Sequence, residues 1–94
     1  MSGKKQNKLP EWFNGDVYTE GGIVANPFSG EEIMLTADEL AMYDFIKGAE
    51  HVLAVYQETQ PNSNSNIDKI LRDFEKGLAW FMRQNAKAYM VLLD

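Results

Sequence analysis

The last third of the chain carries an apolar pattern with the period of an α-helix. Seven apolar residues and one asparagine recur at alternating steps of four and three: Ile67, Leu71, Phe74, Leu78, Phe81, Asn85, Ala88 and Leu92. This spacing predicts one amphipathic helix over residues 67–92, roughly 39 Å long at the usual rise per residue. Such a helix needs an apolar partner along most of one face.

A second helix is predicted over residues 37–57. Thr36 and Glu39 have the spacing of a capping box, in which each side chain accepts a hydrogen bond from the backbone amide of the other residue. An apolar stripe follows at helical spacing, formed by Met42, Phe45, Ile46, Ala49, Val52, Leu53 and Tyr56. The two helices are predicted to pack antiparallel, and the first is the shorter, at roughly 32 Å.

Two glycines lie inside the predicted helices. Gly48 and Gly77 each cost about 1 kcal/mol relative to alanine in a helix interior. A close crossing of the two helices would account for both.

The segment before the first helix has the pattern of a β-hairpin. Residues 23–26 and 32–35 are short apolar runs, and the sequence between them contains Asn26, Pro27 and Gly30. Asparagine and proline suit the first positions of a turn, and glycine can adopt positive φ at its end. Because an isolated hairpin is marginal in water, its apolar face must rest on the helices.

These elements predict a mainly helical α+β fold. Residues 1–10 are expected to form a flexible basic arm, and residues 11–94 a single domain with a hairpin at 15–35 and a helical hairpin at 37–92. The polar segment "ETQPNSNSN" would be the loop between the helices, because neither side is large enough to fold alone.

Several large apolar residues lie outside the two predicted helix stripes. They are Leu40, Tyr43, Val55, Trp80 and Val91, and Tyr89 flanks the stripe of the second helix. Those of the first helix must be covered either by the hairpin or by another subunit. In a domain of 94 residues the core is small, so oligomerisation is an expected source of further stability.

Three more residues complete the predicted interface. Trp12 and Phe13 either fold over the domain's own core or dock on a neighbouring molecule. Asn85 interrupts the apolar seam, and a buried asparagine at such a position can fix register when it meets its own copy. The alternative is that the seam frays there and Asn85 meets water.

The charge of the chain is unevenly distributed. Lys4, Lys5 and Lys8 make the first ten residues basic, whereas residues 11–58 contain ten acids and one base, Lys47. The acidic middle of the chain would repel phosphate backbones, so direct binding to nucleic acid is not expected. A basic protein partner fits this charge better.

The residues that usually carry catalysis or bind metals are sparse. There is no cysteine, and the single histidine, His51, has no serine near it in sequence to act as a nucleophile. The acids around residues 31–39 lack the spacing of a calcium loop, and no glycine-rich phosphate motif occurs. We therefore predict a protein that is not an enzyme and has no cofactor or metal.

The segment "NPFSGEEIMLTADELAMYDFI", residues 26–46, resembles a short pattern in small uncharacterised proteins of tailed phages of marine bacteria. The pattern consists of an Asn-Pro-Phe turn, a serine or threonine before glycine, an apolar strand and a capped helix. The matching residues are Asn26, Pro27, Phe28, Ser29, Gly30, Leu35, Thr36, Glu39, Ala41, Tyr43 and Asp44. The resemblance implies a viral origin and favours an assembly or host-interaction role over metabolism.

Two functions are consistent with the sequence. The first is a non-enzymatic phage protein that acts through protein–protein contacts, as an oligomeric assembly component or accessory factor. The second is an acidic inhibitor that blocks a basic site on a host or phage protein. A small ligand-binding domain or enzyme would need a concave pocket around His51 or Trp80. With no apolar stretch that predicts a signal peptide or membrane span, we expect an intracellular soluble protein, in the host cytoplasm if it is viral, with association with the virion as the alternative.

Overall fold

The computed structural model of this chain describes residues 8–59 and 65–93. A two-stranded antiparallel hairpin is followed by three helices. In chain order the elements are β1 (Gly22–Ala25), β2 (Glu32–Leu35), α1 (Ala37–Thr59), α2 (Ser65–Gln84) and α3 (Ala86–Leu92). The prediction of a mainly helical α+β fold is confirmed. Residues 1–7 of the predicted arm and residues 60–64 of the predicted loop lie outside the described residues.

The hairpin pairs Gly22 with Leu35 and Ala25 with Glu32. The first strand therefore begins and ends one residue earlier than the predicted 23–26, because Asn26 closes the turn. The Asn26 carbonyl oxygen accepts a hydrogen bond of 2.8 Å from the Gly30 amide. Gly30 has a φ of 80°, which confirms the prediction that a glycine provides positive φ at this point.

Gly21 lies where the chain before β1 passes closest to the end of β2. A Cβ atom at this position would lie 1.9 Å from the carbonyl oxygen of Leu35. No other residue fits there without moving the backbone, so this glycine is required by the close approach of the two chain segments.

The capping box at the start of α1 is confirmed. The Thr36 amide donates to Glu39 Oε1 at 3.0 Å, and the Glu39 amide donates to Thr36 Oγ1 at 3.2 Å. These bonds satisfy two of the backbone amides that a helix start leaves without intrahelical partners. The hairpin is therefore joined to α1 through a single residue of fixed conformation, Thr36.

The core lies where the first half of α1 packs against the second half of α2, with β2 and α3 covering one end. Its fully buried large side chains are Leu35, Met42, Ile46 and Phe81. The ring of Tyr43 lies 6.3 Å from that of Phe81, centroid to centroid. Early residues of α1 thus meet late residues of α2, which confirms the antiparallel arrangement of these helices.

A close approach of the two helices accounts for Gly77 but not for Gly48. A Cβ atom at Gly77 would lie 3.2 Å from Met42 Sδ and 3.3 Å from Ile46 Cγ1, so α1 and α2 do approach closely there. A Cβ atom at Gly48 would have no other atom within 4 Å. Gly48 is not at a helix crossing.

The prediction of one helix over residues 67–92 is wrong, because the chain leaves the helical conformation at Asn85. This residue has a φ of −153° and a ψ of 81°, and its Oδ1 accepts a hydrogen bond of 3.1 Å from the Ala88 amide. Asn85 is therefore the N-cap of a separate helix. The break allows α3 to pack against β2 and to bury Ala88 and Leu92.

The last residues of the predicted arm contact the domain. The indole Nε1 of Trp80 donates a hydrogen bond of 3.2 Å to the carbonyl oxygen of Lys8, and Leu9 packs against the core. The described part of the chain is therefore attached to α2 from its first residue.

Candidate functional site

Most of the predicted interface residues belong to the core of the single chain. Trp12 and Phe13 fold back onto α1, where their ring centroids lie 5.8 and 5.5 Å from that of Phe45. Lys76 Nζ lies 5.8 Å from the centroid of the Trp12 ring, close enough for a cation–π interaction. Of the two alternatives for these aromatic residues, the structure shows that they cover their own core.

The residues predicted to lie off the helix stripes are also largely covered. Tyr43 and Trp80 are buried within the single chain. Leu40, Tyr89 and Val91 are half-buried and pack against the core. The hairpin reaches Leu40, since a Cβ atom at Gly22 would lie 4.0 Å from Leu40 Cδ2. Of the nine predicted interface residues, only Val55 is exposed.

Within the single chain, the side chain of Asn85 has partners of its own. Its side-chain Nδ2 donates a hydrogen bond of 3.1 Å to Glu39 Oε1, the oxygen that also accepts from the Thr36 amide. Glu39 is only 4% exposed. Asn85 is thus hydrogen-bonded to a buried carboxylate of α1 in the same chain.

The turn of the hairpin is held by the side chain of Asn26. Its Oδ1 accepts from the amides of Phe28 at 2.7 Å and Ser29 at 3.1 Å, and its Nδ2 donates to the carbonyl oxygen of Val91 at 2.8 Å. Ser29 Oγ accepts from the Glu31 amide at 3.1 Å. The bonds from the Phe28 and Ser29 amides fix the turn, and the bond to Val91 joins the turn to the end of α3.

Three of the most exposed large apolar residues lie on this hairpin. The large hydrophobic residues with exposed fractions between 61% and 97% are Val17, Ile23, Phe28, Met34 and Met90. None lies on α1 or α2, whose exposed examples range from 42% to 46%. Sequence reasoning missed this surface, although strand alternation contained the signal. With Val24 and Leu35 turned inward, Ile23 and Met34 must face outward.

The outer face of the hairpin carries a directly opposed apolar pair. Ile23 is 67% exposed, Met34 is 61% exposed, and the two are partners in the strand register. Phe28, at the tip of the turn, is 97% exposed. A ring held so far from its own core on a turn fixed by Asn26 is available for contact with another molecule.

β1 has a free edge. Its only strand neighbour among the described residues is β2, and α1 and α3 both contact β2. The Asn26 amide donates to the Glu31 carbonyl oxygen at 2.8 Å. Because antiparallel pairs alternate between bonded and non-bonded, the amides of Ile23 and Ala25 point away from β2. The four residues of β1 carry no charge.

A groove runs between α1 and α2 on another part of the surface, with a volume of about 660 Å³. Residues 14–16 form one side of it, and Phe45, Gly48, Ala49 and Ile70 are among its apolar lining. Its charged groups are Asp16, Asp44, Lys69 and Asp73. The Tyr18 hydroxyl donates to Asp44 Oδ2, and this hydrogen bond is the main reason that the pKa of Tyr18 is raised.

The described residues contain no cluster of three or more side chains that could hold a metal ion. His51 is exposed on α1, and neither it nor Trp80 lines the groove. Within the described ranges, no helix combines the length and apolar character needed to cross a bilayer. That the protein is not an enzyme and has no cofactor stays a prediction.

Comparison with known proteins gave no match: no protein-family model, no curated protein and no solved structure matches this chain.

Proposed function

We propose that this protein is a non-enzymatic interaction protein that associates with a second copy of itself through the free edge of β1. The observation that supports this proposal most is the combination of an uncharged open strand edge with an exposed apolar pair, Ile23 and Met34, on the same hairpin. Open edges of this kind template pairing with another strand unless charge, proline or a bulge blocks them.

The outward-pointing groups of β1 define one favourable register. In an antiparallel pair of β1 strands, Ile23 of each copy would lie opposite Ala25 of the other, so that all four outward amides find carbonyl partners. Val24 would then lie on the two-fold axis, and the two hairpins would form one four-stranded sheet. Such an interface is isologous, the commonest arrangement in homodimers.

The distribution of charge supports pairing through β1. Glu31 and Glu32 lie on the turn and on β2, so two β1 strands can meet without placing carboxylates directly opposite one another. The chain as a whole has a net charge of −5, which would oppose most other self-contacts.

The positions of the acids give less support to the alternative, an acidic inhibitor that presents one continuous charged face. Glu39 is buried in the capping box, Asp44 accepts from Tyr18, and Glu50 forms an ion pair of 3.0 Å with Lys47. The others among residues 11–56 are spread over the N-terminal segment, the hairpin and the start of α1.

The proposed setting of this association is an assembly or accessory contact in a tailed phage. Its support is the resemblance of residues 26–46, the segment that forms the turn, β2 and the start of α1. The same segment places the hairpin rigidly on the helical part of the domain, which suits a surface presented for contact.

Light scattering on the purified protein tests the self-association. We expect the wild type to have twice the mass of one chain at high concentration. Ile23→Lys, which places a charge beside the free edge, should convert it to a monomer. Met82→Lys is the matched control, because it adds the same charge at an exposed apolar residue of α2. It should leave the mass unchanged.

A wild type that stays monomeric at high concentration would overturn this proposal. So would a dimer that Ile23→Lys and Met82→Lys weaken equally, since the association would then depend on overall charge and not on β1. Circular dichroism of each variant shows whether the helical content is retained.

A further inference from the structure

The groove between α1 and α2 has an apolar floor. Phe45, Ala49 and Val52 of α1 and Ile70 of α2 line it, and the ring of Phe45 also contacts the rings of Trp12 and Phe13. A volume of about 660 Å³ lies within the range of sites that bind small ligands or side chains of a partner.

The charged groups around this floor leave an excess of negative charge. Lys69 Nζ contacts Asp73 Oδ2 at 2.9 Å, so these two groups neutralise one another. The negative charges of Asp16 and Asp44 remain. Asp44 accepts a hydrogen bond from the Tyr18 hydroxyl, but this hydroxyl is neutral and does not cancel the charge of the carboxylate. Two carboxylates beside an apolar surface attract a ligand that combines a cation with an aliphatic segment.

Gly48 gives an independent reason to regard the groove as a site. Glycine destabilises a helix interior, and at Gly77 that cost is explained by the nearness of Met42. At Gly48 the space that a Cβ atom would occupy has no other atom within 4 Å, and the residue lines the groove. The glycine is not needed for packing within the chain, but it keeps the groove open.

We propose that this groove binds a lysine or arginine side chain from a basic peptide segment of a partner protein. The aliphatic stem would lie along Ala49, Val52 and Ile70, and the cationic end would lie near Asp16 and Asp44. Long basic side chains bury their stems on apolar surfaces in this way while their charged ends meet carboxylates or water. This site is separate from the strand edge of β1.

Fluorescence anisotropy with a labelled decapeptide of alternating lysine and alanine tests this proposal. Wild-type protein at physiological ionic strength should bind the peptide saturably. Gly48→Leu places a side chain in the groove, at a position where a Cβ atom would meet no other atom within 4 Å, and should weaken binding by about tenfold or more. The pair Asp16→Asn and Asp44→Asn, which removes the unneutralised charges, should weaken it by a similar factor and reduce its salt dependence.

Matched controls separate the groove from general attraction between opposite charges. Glu11→Gln with Glu75→Gln removes two exposed carboxylates that do not line the groove, and Ala79→Leu introduces the same leucine side chain at an exposed position of α2. Both should retain wild-type affinity. Since Ile23→Lys leaves the groove intact, its peptide affinity should also be unchanged, which makes this test independent of the proposed dimer.

Three results would overturn the proposal. The wild type could fail to bind the peptide, or the charge control could weaken binding as much as the groove variants do. Spermine, a free polyamine, could bind in a manner sensitive to Gly48→Leu while the peptide does not, which would assign the groove to small amines instead of a protein partner.

Discussion

Asn85 Nδ2 donates a hydrogen bond of 3.1 Å to Glu39 Oε1, and this contact joins the break between α2 and α3 to the first turn of α1. The same oxygen accepts from the Thr36 amide, where β2 ends and α1 begins. One buried carboxylate therefore connects the hairpin, α1 and α3. Because an unsatisfied buried carboxylate is costly, these elements are expected to hold their positions together.

Asn85→Leu should lower the free energy of unfolding by about 2 kcal/mol, because it removes the N-cap of α3 and one donor to Glu39. Asn85→Asp keeps the capping oxygen but places a second carboxylate beside Glu39, so it should cost at least as much at neutral pH. Urea unfolding followed by circular dichroism measures both. Lys87→Leu, an exposed change on α3, should shift the free energy by less than about 0.5 kcal/mol. Equal stability of all three variants would contradict this role of Asn85.

The two helical glycines should respond to alanine with opposite signs. Gly48→Ala should raise the free energy of unfolding by about 0.5 to 1 kcal/mol, because helix propensity improves and the new methyl group meets no atom. Gly77→Ala should lower it, because the methyl group would press on Met42 and Ile46, which are fully buried. Thermal unfolding of the two variants under identical conditions gives the comparison. A stabilised Gly77→Ala would show that α1 and α2 can separate easily there.

Asn26→Asp tests the link between the turn and α3. The carboxylate can still accept from the Phe28 and Ser29 amides, but it loses the bond to the Val91 carbonyl oxygen and places negative charge near the carbonyl end of α3. We expect a loss of about 1 to 2 kcal/mol in the free energy of unfolding. Asn14→Asp, the same change at an exposed position, should have little effect. No difference between the two would mean that the link contributes nothing to stability.

The pKa of the Tyr18 hydroxyl should lie above that of free tyrosine. Its hydroxyl donates to Asp44, and this hydrogen bond, desolvation and the charges of Asp44 and Asp16 all raise its pKa. The folded protein then holds this proton more tightly than the unfolded chain does. The stability that the bond contributes is therefore present below the ordinary tyrosine pKa of about 10 and is lost as the pH rises through the raised value. The difference in tyrosinate absorbance between the wild type and Tyr18→Phe should titrate with a pKa above that of free tyrosine. A pKa at or below that of free tyrosine would contradict the contact.

The parts of the fold that depend on local sequence were predictable. Thr36 and Glu39 form the capping box within four consecutive residues, and Asn26 and Gly30 form the turn within five. The break at Asn85 was not predictable from periodicity, because Ala88 and Leu92 continue the steps of three and four on the far side of it. Asn85 caps α3 locally, and its contact with Glu39, which is distant in sequence, is a second reason for the break that the sequence does not show.

The candidate interface was predicted less well, because helical spacing does not show which chain segments fold over a given helix face. Helical spacing places Trp80 off the main stripe, but it cannot show that the segment from Lys8 to Phe13 folds over it. Ile23 and Met34 were treated as parts of a hairpin whose apolar face rests on the helices. The two faces of a strand were not distinguished, although Leu35 and Val24 occupy the inner one.

Amide hydrogen exchange at β1, measured by NMR as a function of protein concentration, tests the proposed self-association most directly. The amides of Ile23 and Ala25 have no partner strand among the described residues of one chain, so in a monomer they should exchange much faster than the Val24 amide, which faces β2. We predict that both become protected as the concentration rises and that Ile23→Lys abolishes this protection. Rapid exchange of Ile23 and Ala25 at every concentration, with Val24 protected throughout, would show that β1 keeps a free edge and would contradict the account.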